Sequence, residues 1–208
     1  MSDSSVLIHR DDAHVRFAPS RQRKSRGSLD VICGPMFAGK STEILKRVLW
    51  NQNGLGRRIL ILKPAFDTRY GATNLASHDG LSTEARAVTR WPEIDPAVDV
   101  VFLDEIQFFI EPHFQGDIVE CVTALLARGV DVVVAGLDSD WRAQPFFVTG
   151  QMLALADTVV KLKSRCSICG HPASKNFKKK ANGLQIELGE ADLYEARCND
   201  HWHDNSAG

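Results

Sequence analysis

The stretch of residues 34–41 reads Gly34-Pro35-Met36-Phe37-Ala38-Gly39-Lys40-Ser41. Its pattern is G-x-x-x-x-G-K-S, and it lies between the apolar run 29–33 and the segment 42–53, which has apolar residues at helical spacing. A strand, a glycine-rich turn and a helix form the setting of a phosphate-binding loop. The glycines let backbone N–H groups converge on phosphate oxygens, and the helix N-terminus adds positive potential. We expect Lys40 to reach the outer phosphates and the Ser41 hydroxyl to ligate Mg²⁺. A chance loop is the alternative, which the flanking pattern disfavours.

The composition is that of an ordinary globular protein of 208 residues, long enough for one large domain or for one domain and a small module. Hydrophobic residues make up 44%, and the net charge of −1 gives no overall field that favours nucleic acid. No apolar run approaches the roughly 18 residues of a membrane span, and no apolar segment follows the N-terminal charges as in a secretory signal. The five cysteines lack the pattern of a secreted disulfide framework, so we expect a cytoplasmic protein with no membrane partner.

The rest of the chain predicts an α/β fold. Apolar runs alternate with amphipathic stretches after the loop, which indicates a parallel sheet covered by helices on both faces. The polar stretch 66–89 is interpreted as a long functional or mobile loop. We predict strands at residues 29–33, 58–63, 100–105, 130–135 and 158–162, and helices at 42–53, 118–127 and 148–156.

Changes of composition suggest the domain boundaries. Residues 1–27 are rich in Ser, Asp and Arg and lack hydrophobic periodicity, so we predict a disordered tail; a basic arm that touches nucleic acid is less favoured. A nucleotide-binding domain is predicted over residues 28–163 and a small β-rich, zinc-binding module over residues 164–203, followed by a disordered tail, 204–208.

Two adjacent carboxylates end the apolar run that begins at Val100. Asp104 is expected to hold Mg²⁺ opposite Ser41, directly or through water; an ordinary carboxylate at a strand end is the alternative. Glu105 follows it, and side chains that succeed one another in a strand point to opposite sides. A carboxylate near the γ-phosphate but off the metal can take a proton from an attacking hydroxyl. The position alone does not decide whether that hydroxyl belongs to water or to a substrate.

Three cysteines and a histidine near the C-terminus have zinc-ligand spacing. Cys166 and Cys169 form a C-x-x-C pair, and Cys198 and His201 form a C-x-x-H pair. Thiolate and imidazole suit tetrahedral Zn²⁺, and four protein ligands close the shell, so a structural ion is predicted. Unrelated cysteines are the alternative, and His203 is a rival to His201.

Several aromatic residues follow predicted strands or lie in the last module. Each alone is more often part of a core, but several around a phosphate site can stack on a planar base. They are Phe108, Phe109, Trp141, Phe146, Phe147 and Tyr194.

Together these motifs resemble those of the type II thymidine kinases, the zinc-containing branch with a phosphate-binding loop. The resemblance runs from about residue 29 to residue 202. Met-Phe before A-G-K-S-T is unusual among proteins with such a loop. The matching segments are Gly34–Glu43, Asp67-Thr68-Arg69-Tyr70, Ser77-His78-Asp79, Asp104-Glu105-Ile106-Gln107-Phe108-Phe109, Gly136-Leu137-Asp138 with Trp141 and Pro145-Phe146, and residues 189–194.

The resemblance implies transfer of the γ-phosphate of ATP to the 5′-hydroxyl of thymidine for salvage synthesis of dTMP, with Glu105 as general base. It also implies a homotetramer, with dTTP as feedback inhibitor. The residues implied for ATP and Mg²⁺ are Gly34, Pro35, Met36, Phe37, Ala38, Gly39, Lys40, Ser41, Thr42, Asp79 and Asp104. Those implied for the substrate pocket are Met36, Phe108, Leu137, Trp141, Phe146, Gly189 and Tyr194.

The chain departs from the family pattern at four positions. Ile106 stands where many members have Gly, and Trp141 where Phe or Tyr is usual, which affects the size of the pocket. Gly80 stands where some members have Arg, and Glu190 where a second Gly is common.

Two other functions are compatible with parts of the sequence. An ATPase or GTPase would use Glu105 to activate water, although the chain lacks an obvious base-reading motif such as N-K-x-D. A nucleic-acid-binding zinc module would use the basic arm and Lys178-Lys179-Lys180, and the near-zero net charge disfavours it.

Overall fold

Six parallel strands form the centre of the computed structural model, which describes residues 25–67, 74–76, 82–179 and 192–202. Eight strands precede the last module in these ranges: β1 (Leu29–Cys33), β2 (Ile59–Pro64), β3 (Asn74–Ala76), β4 (Ser82–Glu84), β5 (Arg86–Val88), β6 (Val100–Leu103), β7 (Asp131–Gly136) and β8 (Thr158–Lys161). The sheet has the order β5-β2-β6-β7-β1-β8, and β3 and β4 form a separate antiparallel pair. Since the strands are parallel, the ends of β1, β6 and β7 meet at one edge, and the functional side chains follow those ends.

The main helices are α1 (Lys40–Leu49), α2 (Ile118–Ala127) and α3 (Phe147–Leu155). Helix α2 begins where Asp117 accepts hydrogen bonds from the backbone N–H groups of Val119 at 2.7 Å and Glu120 at 3.2 Å, which satisfies two donors of the first turn. Helix α1 has the left-handed Gly39 before it and no side-chain cap. It is fixed to β1 by Arg47, which pairs with Asp30 at 2.7 Å.

Alternating side chains of the central strands build two cores. Val101 and Leu103 of β6 pack on the face covered by α2 and α3. Val100 and Phe102 pack on the opposite face, against Ile44 and its neighbours in α1. Both faces of the sheet are therefore buried, as parallel sheets require.

The predicted α/β class is confirmed. Most element ends differ from the predicted ones by one or two residues, and three differences are larger or affect the site. Strand β6 stops at Leu103, so Asp104 and Glu105 lie beyond it, whereas we expected them in the strand. Helix α1 ends at Leu49 and continues as a π-helical turn, Trp50–Gly54, within the stretch predicted as helix. The polar stretch contributes the short edge strand β5, which pairs with β2 and was not predicted.

Within the described residues 164–179 and 192–202, the chain forms four short strands: β9 (Ser164–Arg165), β10 (Pro172–Ala173), β11 (Lys175–Lys178) and β12 (Tyr194–Arg197). They pair as antiparallel β9–β10 and β11–β12. Their small core consists of Cys166, Ala173, Ala196 and Cys198. This region is β-rich as expected, and the domain boundaries stay predictions. In the part of the chain that the structure describes, no helix has both the length and the apolar character needed to cross a bilayer.

Candidate active site and metal centre

The glycine-rich loop connects β1 to α1 at the carboxyl edge of the sheet. Gly34 has φ 145°, and a Cβ there would lie 2.5 Å from the carbonyl oxygen of Leu162, so a larger residue does not fit. Lys40 is buried in the first turn of α1 and donates from Nζ to the carbonyl oxygen of Pro35 at 2.7 Å. Ser41 follows it and is half-buried. The loop thus gathers the N-terminus of α1, an ammonium group and a hydroxyl, which is a donor set suited to phosphate and Mg²⁺.

The two carboxylates lie at the end of β6, which is separated from β1 by β7 in the sheet order. The backbone N–H of Asp104 donates to the carbonyl oxygen of Leu62 at 3.0 Å, and its side chain is buried. Glu105 is 9% exposed and has φ 54° and ψ 47°, a left-handed conformation uncommon for a residue with a side chain. The expected strand alternation therefore does not set its direction. The left-handed backbone does, and a 3₁₀ turn, Ile106–Phe108, begins directly after it.

Gln107 connects the Glu105 carboxylate to the next strand. Its Nε2 donates to Glu105 Oε2, and its Oε1 accepts from the backbone N–H of Leu137 at 3.0 Å. Only 2% of its surface is exposed. The sequence analysis quoted Gln107 within a motif but gave it no role, because spacing alone does not reveal which groups a buried amide joins.

Two of the predicted pocket residues come together around a buried lysine. Lys178 is 1% exposed, and its Nζ lies 5.9 Å from the ring centre of Trp141 and 5.8 Å from that of Tyr194. These distances are within the range of cation–π attraction. Lys178 was predicted only as part of a surface basic run, and its burial removes it from any such surface. Its neighbour Lys179 lies 3.5 Å from Glu195.

The other predicted pocket residues have different surroundings. Phe108 is buried and packs edge-on against Phe66, with ring centres 5.3 Å apart. Phe146 is buried at the start of α3, where its backbone N–H donates to Asp138. Leu137 is half-buried at the end of β7. Phe108 therefore packs against Phe66, whereas Trp141 and Tyr194 lie around Lys178.

Asn176 of β11 ties the last module to the phosphate loop. Its Oδ1 accepts from the backbone N–H of Met36 at 2.8 Å, and its Nδ2 donates to the carbonyl oxygen of Ser139 at 2.8 Å. Its own carbonyl accepts from Trp202 Nε1 at 3.0 Å. The buried side chain of Asn176 thus connects the loop after β1 and the segment after β7 to the last module, which contains the predicted zinc ligands. Sequence reasoning missed it, because a single Asn in a short strand carries no local signal.

The predicted metal ligands Cys166, Cys169, Cys198 and His201 lie together, with their ligand atoms all within 4.8 Å of one another. Cys169 Sγ and Cys198 Sγ are 3.7 Å apart, and His201 Nδ1 is 3.2 Å from Cys198 Sγ and 3.8 Å from Cys166 Sγ. A tetrahedral ion with Zn–S bonds of about 2.3 Å requires sulfur atoms about 3.8 Å apart. The donor set and its spacing therefore fit Zn²⁺.

The pKa of Cys166 is low for a cysteine. Burial opposes ionisation of Cys166, but the backbone N–H groups of Cys198 and Cys169 stabilise its thiolate and lower its pKa to about 5. The backbone N–H of His171 favours the thiolate of Cys169, but burial and the neighbouring Cys166 and Cys198 side chains raise the pKa of Cys169. Burial also raises the pKa of Cys33 and of Cys121. Thiolate is the form that binds metal, so the lowered pKa of Cys166 suits a metal ligand.

Some predicted positions lie outside the described residues. They are Asp79, Gly80, Gly189, Glu190 and His203. Their roles stay predictions, including the rivalry of His203 with His201.

A sequence model of thymidine kinases matches residues 27–202. The chain belongs to the thymidine kinase family. The matched range covers most of the chain and includes the phosphate loop, both carboxylates and all four clustered ligands. Membership supports nucleoside kinase activity with ATP and thymidine as substrates, and it confirms the resemblance inferred from the motifs.

Proposed function

We propose that this protein transfers the γ-phosphate of ATP to the 5′-hydroxyl of thymidine and so produces dTMP. The observation that carries the proposal is the family match, which spans the phosphate loop, the carboxylate pair and the Cys/His cluster in one continuous range. A kinase of this kind catalyses chiefly by positioning its reactants and by stabilising developing charge.

The loop from Gly34 to Thr42 would hold the phosphates of ATP. Lys40 now donates to the Pro35 carbonyl, and it would exchange that bond for contact with the outer phosphates. Ser41 and Asp104 supply hard oxygen ligands, and we assign them to Mg²⁺. When bound, the ion would neutralise charge on the phosphate oxygens.

Glu105 would accept the proton of the thymidine 5′-hydroxyl as the phosphoryl group is transferred. Its position at the carboxyl edge of the sheet supports this role, with β7 lying between β6 and the strand that precedes the loop. Its near-complete burial favours transfer to a bound hydroxyl over transfer to bulk water. Met36, Leu137, Phe108, Trp141, Phe146 and Tyr194 would line the pocket for the sugar and the base, with Gly189 in the loop around the base. Asp79 would assist near the phosphates.

The Cys/His cluster would hold a structural Zn²⁺ that keeps the last module folded. Its four protein ligands leave no position for a substrate. The Asn176 bridge to Met36 gives the ion an indirect connection to the phosphate loop.

Product analysis tests the proposed reaction. The protein is incubated with ATP and Mg²⁺, and with each nucleoside in turn, and the products are separated and identified. We expect dTMP from thymidine, and ADP formation that depends on the nucleoside. ADP release at the same rate without any nucleoside, and no dTMP, would instead identify an ATPase.

Three finer properties rest on the family resemblance: a homotetramer, inhibition by dTTP and a cytoplasmic location. Exposed large apolar side chains support self-association, since contiguous patches of such groups are rare on monomers. They are Leu49, Trp50 and Leu55 at and after the end of α1, Phe147 and Leu155 at the two ends of α3, and Val159 in the edge strand β8. Light scattering measures the assembly state, and dTTP titration of the kinase assay measures inhibition.

A further inference from the structure

The buried amide of Gln107 faces Glu105, and any role of this amide in the reaction rests on the proposed role of Glu105. Glu105 is itself in the left-handed conformation directly after β6, so strand alternation does not set the direction of its side chain. The last torsion of a glutamate side chain is broad, and the carboxylate rotates unless a partner holds it. A base that must meet one hydroxyl proton gains from such a partner.

Chemistry assigns the orientation of the Gln107 amide. The backbone N–H of Leu137 can only donate, so the atom that faces it at 3.0 Å must be the acceptor Oε1. The amide NH₂ then faces Glu105 and donates to its Oε2. A charged acceptor makes this the stronger of the two bonds.

The amide has no room to take another position. It is 2% exposed and lies against the backbone of Gly136, where a Cβ would come within 2.4 Å of Gln107 Oε1 and 2.7 Å of Ile106 Cγ2. The absence of a side chain at Gly136 therefore allows this close approach.

From this geometry we infer that Gln107 is a positioning residue, which fixes the Glu105 carboxylate relative to Leu137 at the end of β7. It leaves the base able to accept a proton, because a carboxylate oxygen accepts more than one hydrogen bond. We assign Leu137 to the wall of the nucleoside pocket. Because Gln107 hydrogen-bonds both to Glu105 and to the backbone of Leu137, it fixes the position of the base relative to this wall.

The test is a double-mutant cycle on the full chain with Gln107→Met, Glu105→Gln and the double variant. Methionine preserves the length and approximate volume of glutamine but has neither the amide donor nor its oxygen. We expect Gln107→Met to lower kcat for dTMP formation by about 10–100-fold, the usual effect of removing a hydrogen-bonding group that orients a functional residue. In the Glu105→Gln background the same change should alter kcat by no more than about twofold, the normal error of additivity. ATP affinity should be unchanged in all variants. The matched control is Gln115→Met, at an exposed glutamine.

Gly136→Ala provides an independent variant in case Gln107→Met does not fold. Its Cβ displaces the amide without removing it, and the loss of kcat should again vanish in the Glu105→Gln background. An equal loss in both backgrounds, or a normal kcat in folded Gln107→Met, would overturn the inference.

Failure of the underlying function gives a different pattern. If the unmodified protein makes no dTMP, the proposed reaction is wrong and the inference falls with it. If the unmodified protein makes dTMP and Glu105→Gln is equally fast, only the assignment of the base, and with it the role of Gln107, is refuted.

Discussion

Asn176→Ala removes the side chain that joins the last module to the phosphate loop. Two hydrogen bonds of 2.8 Å are lost, one from the Met36 N–H and one to the Ser139 carbonyl. A typical intramolecular hydrogen bond contributes about 0.5–1.5 kcal/mol, so the pair contributes about 2 kcal/mol to the free energy of unfolding. For a chain of this length, 2 kcal/mol lowers Tm by about 4–8 °C.

The same change should weaken ATP binding. Met36 lies in the loop, and its backbone would have to be ordered again when the nucleotide binds. Ordering one residue costs about 1–2 kcal/mol, which corresponds to roughly tenfold weaker affinity. Asn176→Asp separates the two contacts. It keeps an acceptor for Met36 but sets a buried carboxylate against the Ser139 carbonyl, and it should lower Tm at least as much as alanine does.

Thermal unfolding followed by circular dichroism and ATP titration by calorimetry measure these effects. Asn53→Ala is the control, because Asn53 is exposed on the π-helical turn. An Asn176→Ala protein with the Tm and ATP affinity of this control would show that Asn176 neither stabilises the fold nor orders the phosphate loop.

Four other perturbations test the site and the N-terminal segment. Cys166→Ser should lose the bound metal and lower both Tm and activity, because an incomplete ligand shell cannot fold a small module; metal analysis of active native protein that finds no zinc would contradict this. In the unmodified protein, zinc retention should fall as pH is lowered through about 5, since the depressed pKa of Cys166 keeps its thiolate above that pH and protonation competes with the metal below it. Gly34→Ala should abolish ATP binding, because its Cβ would lie 2.5 Å from the Leu162 carbonyl oxygen; normal ATP affinity would show that the loop can relax. Deletion of residues 1–24 should leave kcat and Tm nearly unchanged because the segment has no periodic apolar face, and a large loss of activity would show that it contributes to folding or assembly.

The parts of the fold that were predicted well are those with a strong local signal. Strand β1 and helix α2 begin and end where the sequence places them, since an apolar run precedes the glycine-rich loop and Asp117 caps the helix. Strand β5 was missed because it has three residues and exists only through its pairing with β2. The helical spacing after the loop continues past Leu49, but spacing does not distinguish an α-helix from the π-helical turn that follows.

In the candidate site, too, the residues with a local sequence signal were predicted and those without one were not. Motif spacing was enough to select the four clustered ligands, because each C-x-x-[CH] pair forms a local turn. The direction of Glu105 was not predictable, since it depends on a left-handed backbone rather than on strand alternation. Gln107, Asn176 and Lys178 act across long sequence separations, so only the folded chain reveals what they join.

In the proposed mechanism Glu105 takes the proton of a nucleoside hydroxyl. A general base contributes typically about 10²–10⁴-fold to rate, and glutamine keeps the shape of glutamate but cannot accept a proton at neutral pH. Asp104→Asn, in contrast, should weaken the Mg²⁺ dependence itself. Glu111→Gln, at an exposed carboxylate nearby in the chain, is the matched control.

The most direct measurement is therefore kcat for dTMP formation by folded Glu105→Gln at saturating ATP and thymidine. We expect a loss of about 10²–10⁴-fold, with ATP binding and zinc content unchanged. A kcat close to that of Glu111→Gln would show that Glu105 is not the base and would make Asp79 the next candidate.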